Sequence, residues 1–195
     1  MHPMEPFFII IEQMRNFLPE DLTITSWAQI QIYFEDLKLR TLNSVADLKK
    51  WMQDRSELEA VLEENMAWRY IKMNIDTRDT ALQSSFQFFV EKISPNIAPY
   101  DHEFNTKFSS SPFLKDLDQD KYFIYLRSVK NEMKLYRAEN IPLFTELTNK
   151  SQKFGEIAAQ MMVTIDGEEK TLQQAAVYLK YTDRSKRQEV FEKVN

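Results

Sequence analysis

Apolar residues fall into helical registers along most of the chain. Trp27, Ile30, Phe34 and Leu37 recur at spacings of three, four and three, which is one face of an α-helix. Ser26-x-x-Gln29, just ahead of them, reads as a capping box, the serine accepting from one orphan amide and the glutamine reaching back. Ser44-x-x-Asp47 is a second start signal, opening a helix through Leu48, Trp51, Leu58 and Leu62 that continues toward Trp68 and Ile71. A third helix is expected from near Thr77 to just before Pro95, because proline disfavours helical geometry in the residue preceding it. Its stripe is Leu82, Phe86, Phe89 and Ile93. Pro95, Pro99 and Ser109-Ser110-Ser111-Pro112 then mark loops around one short helix.

After Asp118, Tyr122, Leu126, Val129, Met133 and Tyr136 alternate by four and three, a narrow seam suited to near-antiparallel packing against another helix. Asn140-Ile141-Pro142 interrupts this pattern, and a further helix is expected over residues 143–159. The character then changes. Met161-Met162-Val163-Thr164-Ile165 favours a strand, Asp166-Gly167 is a two-residue turn signal, and Glu168 to Lys170 can return as a second strand. Thr171 and Asp183 read as N-caps of two last helices, the first through Leu172, Ala176 and Leu179, the second carrying Val190, Phe191 and Val194 up to Asn195 without a C-cap signal. Such an end fits either a helix fraying into solvent or a chain cut inside a larger protein. The fold class expected is all-α, a multi-helix array with a small β-hairpin near residues 161–171.

Composition supports this. Gly155 and Gly167 are the only glycines in 195 residues, too few for the tight turns of a β-sandwich or for phosphate-cradling loops. There is no cysteine, hence no disulfide and no thiolate ligand. The apolar run Phe7-Phe8-Ile9-Ile10-Ile11 is too short for a signal core or a membrane span, which leaves the cytoplasm as the default. A net charge of −5 argues against non-specific nucleic-acid binding.

Candidate chemistry is sparse. The histidines are His2 and His102. His102-Glu103 begins the zinc-peptidase motif H-E-x-x-H, in which two histidines one turn apart share a metal, but the second position is Thr106, so His102 reads as a loop residue. Glu57, Glu59, Glu63 and Glu64 read as the solvated face of an amphipathic helix. Arg127, Lys130, Lys134 and Arg137 form a basic stripe beside the Tyr122–Tyr136 seam, either a flank balanced by Glu132 and Glu139 or a surface for an acidic peptide or a carboxylate terminus. Asn149-Lys150-Ser151 matches a glycosylation acceptor, which has no meaning without export. No catalytic, cofactor-binding or metal-binding residue is assigned.

Several stretches resemble a known family. Leu42-Asn43-Ser44, Leu48, Trp51, Ser56-Glu57-Leu58 and Glu63-Glu64-Asn65-Met66-Ala67-Trp68-Arg69-Tyr70 are similar to the N-terminal region of oligoendopeptidase F, in the thimet-type zinc metallopeptidase family. So are Phe89-Val90-Glu91-Lys92-Ile93-Ser94-Pro95, the tail Met162-Val163-Thr164-Ile165-Asp166-Gly167-Glu168-Glu169-Lys170-Thr171-Leu172, and Thr182-Asp183-Arg184 with Arg187. The resemblance runs from about Phe17 to the end, leaving residues 1–16 as a poorly ordered or atypical N-terminus. It implies a helical protein that hydrolyses short peptides in a deep cleft with zinc held by H-E-x-x-H and a downstream glutamate. Those ligands belong to the family's C-terminal half. The expectation is therefore the helical N-terminal region of an oligopeptidase over 17–195, truncated before the catalytic domain, inactive in isolation, and prone to self-association through apolar surface left uncovered. No nucleic acid and no membrane is expected as a partner. The alternative is a stand-alone helical protein-interaction module using the Tyr122–Tyr136 seam or the basic stripe beside it.

Overall fold

The structure is a computed structural model and describes residues 15–195. The Phe7–Ile11 run and His2 lie outside the described residues. Helices dominate: α1 (Trp27–Leu39), α2 (Val45–Ile75), α3 (Thr80–Phe88), α4 (Ser94–Ser109), α5 (Phe123–Leu135), α6 (Asn140–Gln160), α7 (Leu172–Ala176) and α8 (Arg184–Val194). The hairpin pairs β1 (Met162–Ile165) with β2 (Glu168–Thr171).

Local chemistry sets the helix starts. Gln29 Oε1 accepts the backbone amide of the N-cap Ser26 at 3.1 Å, closing the capping box, and that of the preceding Thr25 at 2.8 Å. Ser44 Oγ takes the Asp47 amide at 3.1 Å, and Asp47 takes the Asn43 amide at 3.0 Å, so α2 starts where its capping signal lies. Asp79 caps α3 by accepting from the amides of Ala81 and Leu82, so the helix starts close to the expected Thr77.

Pro95 does not end the third helix. Residues Phe89–Ile93 form one π-helical turn in which the Ser94 amide reaches back to the Phe89 carbonyl, and α4 continues directly from it. Proline costs a helix one hydrogen bond and a clash with the preceding turn, and the widened turn immediately ahead absorbs both. Pro99 is carried inside α4. The loops expected around Pro95 and Pro99 are thus a 16-residue helix. Burial of Phe86, Phe89, Val90 and Ile93 repays the irregularity.

The described residues divide into two compact units. One takes the chain up to Trp68 together with Asn96–Tyr136, the other Arg69–Pro95 with Arg137–Asn195. The first is built on aromatic packing. Trp51 is fully enclosed, donates through Nε1 to the Leu37 carbonyl at 2.8 Å, and meets the Phe104 ring edge-on at 5.7 Å. Phe34, Ile30, Leu37, Leu48 and Leu58 complete that core. The seam of α5 packs inward as its spacing predicts: Val129 is buried, and Tyr122, Leu126, Met133 and Tyr136 are half-buried.

In the second unit, Ile165, Ala175 and Val190 form a small core under the hairpin, joined by Val163, Tyr178, Leu179 and Val194. The hairpin is antiparallel, with Met162 opposite Thr171 and Ile165 opposite Glu168. Asp166 (φ 54°) and Gly167 (φ 82°) make the left-handed turn that matches strand twist. Thr171 caps α7 by accepting the Gln174 amide at 3.2 Å, and the helix tightens into a 3-10 turn over Val177–Lys180. Asp183 caps α8 through the Ser185 and Lys186 amides. The all-α fold with one small hairpin is as expected.

Candidate functional site

The chemistry-bearing side chains gather mainly in the first unit, where three helices supply a polar network to an otherwise apolar interior. Arg55 of α2 is buried, with its guanidinium over the rings of Trp51 (5.8 Å) and Phe104 (5.6 Å). Its Nε donates to Glu59 Oε1 at 2.6 Å and its Nη1 to Asn105 Oδ1 at 2.8 Å. Asn105 of α4 passes the connection on, donating through Nδ2 to Glu132 of α5 at 3.0 Å. Burial works against the Arg55 charge, yet Glu59 and the other acidic groups around it leave its pKa above the ordinary value. Asp101, one turn before Asn105 on α4, is pushed by burial up to about 7, with Glu59 and Glu132 pushing the same way and Arg55 pulling against them. Burial also raises the Tyr125 phenol.

A second polar group ties α1 to α2 and α4. Asp54, buried on α2, accepts from Arg40 at 2.5 Å and Lys50 at 2.6 Å. Lys107 of α4 donates to the carbonyls of Leu37 (2.9 Å), Lys38 (2.8 Å) and Arg40 (2.5 Å), closing the C-terminal end of α1 with a cation where the helix dipole is negative.

His102 lies on α4, not in a loop, because the helix runs through the prolines expected to break it. Its ring stacks on Tyr136 with centroids 4.1 Å apart, and Nδ1 is enclosed without a hydrogen-bond partner. The neighbouring Glu103 pairs with Lys38 at 2.8 Å, and Thr106 Oγ1 donates to the His102 carbonyl at 2.8 Å. These residues line an open depression of about 600 Å³ with Lys107 and Ser110. One imidazole, a salt-bridged carboxylate and a hydroxyl turned to the backbone do not make a zinc site. Among the described residues, no three histidine or acidic side chains are grouped so as to hold a metal.

The four helical glutamates divide. Glu63 and Glu64 are exposed as expected, but Glu57 and Glu59 are half-buried. Glu57 accepts the backbone amides of Asn16, Phe17 and Leu18 at 3.0, 3.0 and 2.8 Å. A carboxylate spends its charge there holding the incoming chain, a role invisible in helical spacing alone. Glu132 accepts from Asn105 Nδ2, which ties α5 to the network on α4.

Of that stripe, Arg127, Lys130 and Lys134 lie exposed on α5, and Arg137 follows just beyond it. Lys130 and Lys134 border a groove of about 530 Å³ whose floor is Phe108, Leu114, Leu126, Val129 and Met133. Four features thus stand out in this unit: an interior charge network, a carboxylate clamp, a shallow imidazole depression and an apolar groove with two lysines. None of them pairs an activated nucleophile with a base.

The sequence profile described as Peptidase M3 N-terminal domain matches residues 17–136. Two solved structures share the fold. One is described as an oligoendopeptidase F, at a TM-score of 0.78 and 23% identity, with the match covering 87% of this chain and 30% of that one. The other is PZ peptidase A solved with an inhibitor, at a TM-score of 0.68 and 23% identity, covering 86% and 29%. The chain therefore spans less than a third of the length of either. No curated protein matches it.

Proposed function

The chain belongs to the peptidase M3 N-terminal domain family, and from that premise we propose that it is the cleft-forming, non-catalytic portion of a cytoplasmic zinc oligopeptidase acting on short peptides. The observation that carries this reading is the family match over 17–136 in a chain that aligns with about 30% of a longer peptidase. In such an enzyme a bound zinc would supply Lewis-acid chemistry for the scissile carbonyl and the attacking water. The described residues here do not fit that metal, since His102 has no second ligand on its face of α4. The hydrolytic step belongs to polypeptide outside this stretch, and the helices described above contribute a wall that limits access to short, flexible substrates. No described helix is long and apolar enough to cross a membrane.

The test is an assay of the purified chain with zinc and a quenched fluorogenic peptide. No turnover is expected, and chelator-sensitive cleavage would refute the reading. A second reading, a stand-alone interaction module, draws on the groove above Phe108 and Val129. Its apolar floor and its two lysines suit a peptide with an apolar side chain beside a carboxylate. Titration with an acidic peptide separates the two, because saturable binding lost in Lys130→Glu favours the module.

A further inference from the structure

Helix α6 carries its two faces the wrong way round for the chain that holds it. Over 21 residues none is fully buried. The half-buried side, which meets the π-turn region, presents Thr145, Thr148, Asn149, Gln152 and Glu156 between Ile141 and Ala159. Asn149 donates to Glu91 at 3.1 Å and Gln152 to Glu156 at 3.2 Å, yet the side-chain oxygens of both amides are enclosed without a partner. A cavity of about 180 Å³ remains on that side, lined by Met73 and Phe86 among others. On the opposite side Leu143, Phe144, Leu147, Phe154, Ile157 and Met161 are between 52% and 74% exposed.

Spacings of four, seven, three and four from Leu143 to Met161 put five of these on one line along the helix, roughly 27 Å long at 1.5 Å per residue. Burying amides without partners costs free energy, and leaving large apolar side chains in water forfeits more. A helix free to choose would turn its other face inward. The sequence keeps the apolar line outward, and a line of this size on a single helix is a docking surface rather than scattered exposure.

The charges flanking the line narrow the choice of occupant. Lys150, which falls on it, pairs with Glu146 at 2.6 Å, and Lys153 pairs with Glu156 at 3.1 Å. The rim is thus neutralised from within, which selects neither an acidic peptide nor an anionic lipid surface. What fits is another apolar helix face. More than two thirds of each structurally similar peptidase lies outside the match, so chain of that kind exists to cover it.

We propose that the outward face of α6, centred on Leu147 and Phe154, is where the remaining part of an M3-type peptidase packs a helix. The proposal rests on the family reading above and assigns that reading its interface.

The experiment places Leu147→Glu and Phe154→Glu together in this chain, and glutamates at the superposed positions of the full-length oligoendopeptidase F. In this chain the melting temperature is expected to hold while binding of a hydrophobic dye falls. In the full-length enzyme the melting temperature is expected to drop by several degrees. An undiminished melting temperature in the full-length enzyme overturns the proposal. So does a marked loss of stability in this chain, which would mean that the face is packed within it. A stoichiometric dimer dissolved by the double substitution would name a second copy as occupant and overturn it as well. Neither arm reads peptide turnover by this chain, so cleavage by the chain alone would sink the proposed function and leave the docking face standing.

Discussion

Arg55 Nη1 lies 2.8 Å from Asn105 Oδ1, a hydrogen bond between helices fifty residues apart in sequence, and it is the hub of the first unit's interior. Removing the guanidinium leaves Glu59 without its cation and Asn105 Oδ1 without its donor, and breaking one side of a partly buried pair costs more than the pair itself contributes. Arg55→Met is expected to lower stability by about 3 kcal/mol, the lower end of the range for breaking a buried pair, because Glu59 retains some solvent. Urea denaturation followed by tryptophan fluorescence measures it. A loss under about 1 kcal/mol would mean the network is solvated like a surface salt bridge.

Asp101 makes the same network sensitive to pH. Its carboxyl is raised from 3.8 to about 7, first by burial and then by Glu59 and Glu132, with Arg55 pulling the other way. The folded chain therefore holds this proton more tightly than the unfolded chain. Below the lower value both states are protonated and the group is neutral to stability. As pH rises from about 4 to about 7 the unfolded state releases its proton first, so stability falls through that window and stays reduced above it. Asp101→Asn is expected to stabilise the chain by about 2–4 kcal/mol at pH 8 and to match the parent near pH 4. Denaturation midpoints at the two pH values decide it. A destabilised variant at pH 8 would show that the Asp101 carboxylate is held favourably by Arg55 and not penalised by burial.

What the residue pattern reveals and conceals follows from range. Caps act within three residues, so Gln29, Ser44, Thr171 and Asp183 announced their helices, and Asp166-Gly167 announced the hairpin. Pro95 and Pro99 misled because their rule is also local, while the burial of Phe89, Val90 and Ile93 that overrides it is not. The same local rule places His102 in a loop, whereas it lies on α4. Arg55, Asp101, Asn105 and Glu132 carry no spacing signal at all, since they come from three helices and only packing brings them together. On α6 the periodicity of Leu143, Leu147, Phe154 and Ile157 is plain in the sequence, but periodicity cannot tell a face turned to a core from one turned to a partner.

Lys107 offers a cleaner electrostatic test, because its ammonium serves three carbonyls of one helix end. The Leu37 carbonyl keeps a second donor in Trp51, whose Nε1 lies 2.8 Å away. Lys107→Met keeps most of the side-chain volume and removes the charge, and is expected to cost about 1–2 kcal/mol through lost hydrogen bonds and an uncompensated helix dipole. Amide exchange should rise at the last turn of α1 ahead of global unfolding. Unchanged protection there would show that solvent satisfies those carbonyls equally well.

Glu57 ties residues 16–18 to α2, and its charge is what makes the tie. Burial would raise its carboxyl, but the three backbone amides outweigh that and hold it below the ordinary value. A depressed folded pKa gives stability that is present above the ordinary carboxylate range and is lost as pH falls through the folded value. Glu57→Gln keeps the shape and one acceptor oxygen while removing the charge, so the amides of Phe17 and Leu18 must share a weaker partner. The expected cost is about 1.5 kcal/mol, within the range for hydrogen bonds to a charged group. Exchange at Phe17 and Leu18 should accelerate at neutral pH and become as fast in the parent as in the variant once acid protonates Glu57. Equal protection in both proteins at neutral pH would mean that apolar burial of Leu18, not the carboxylate, anchors the segment.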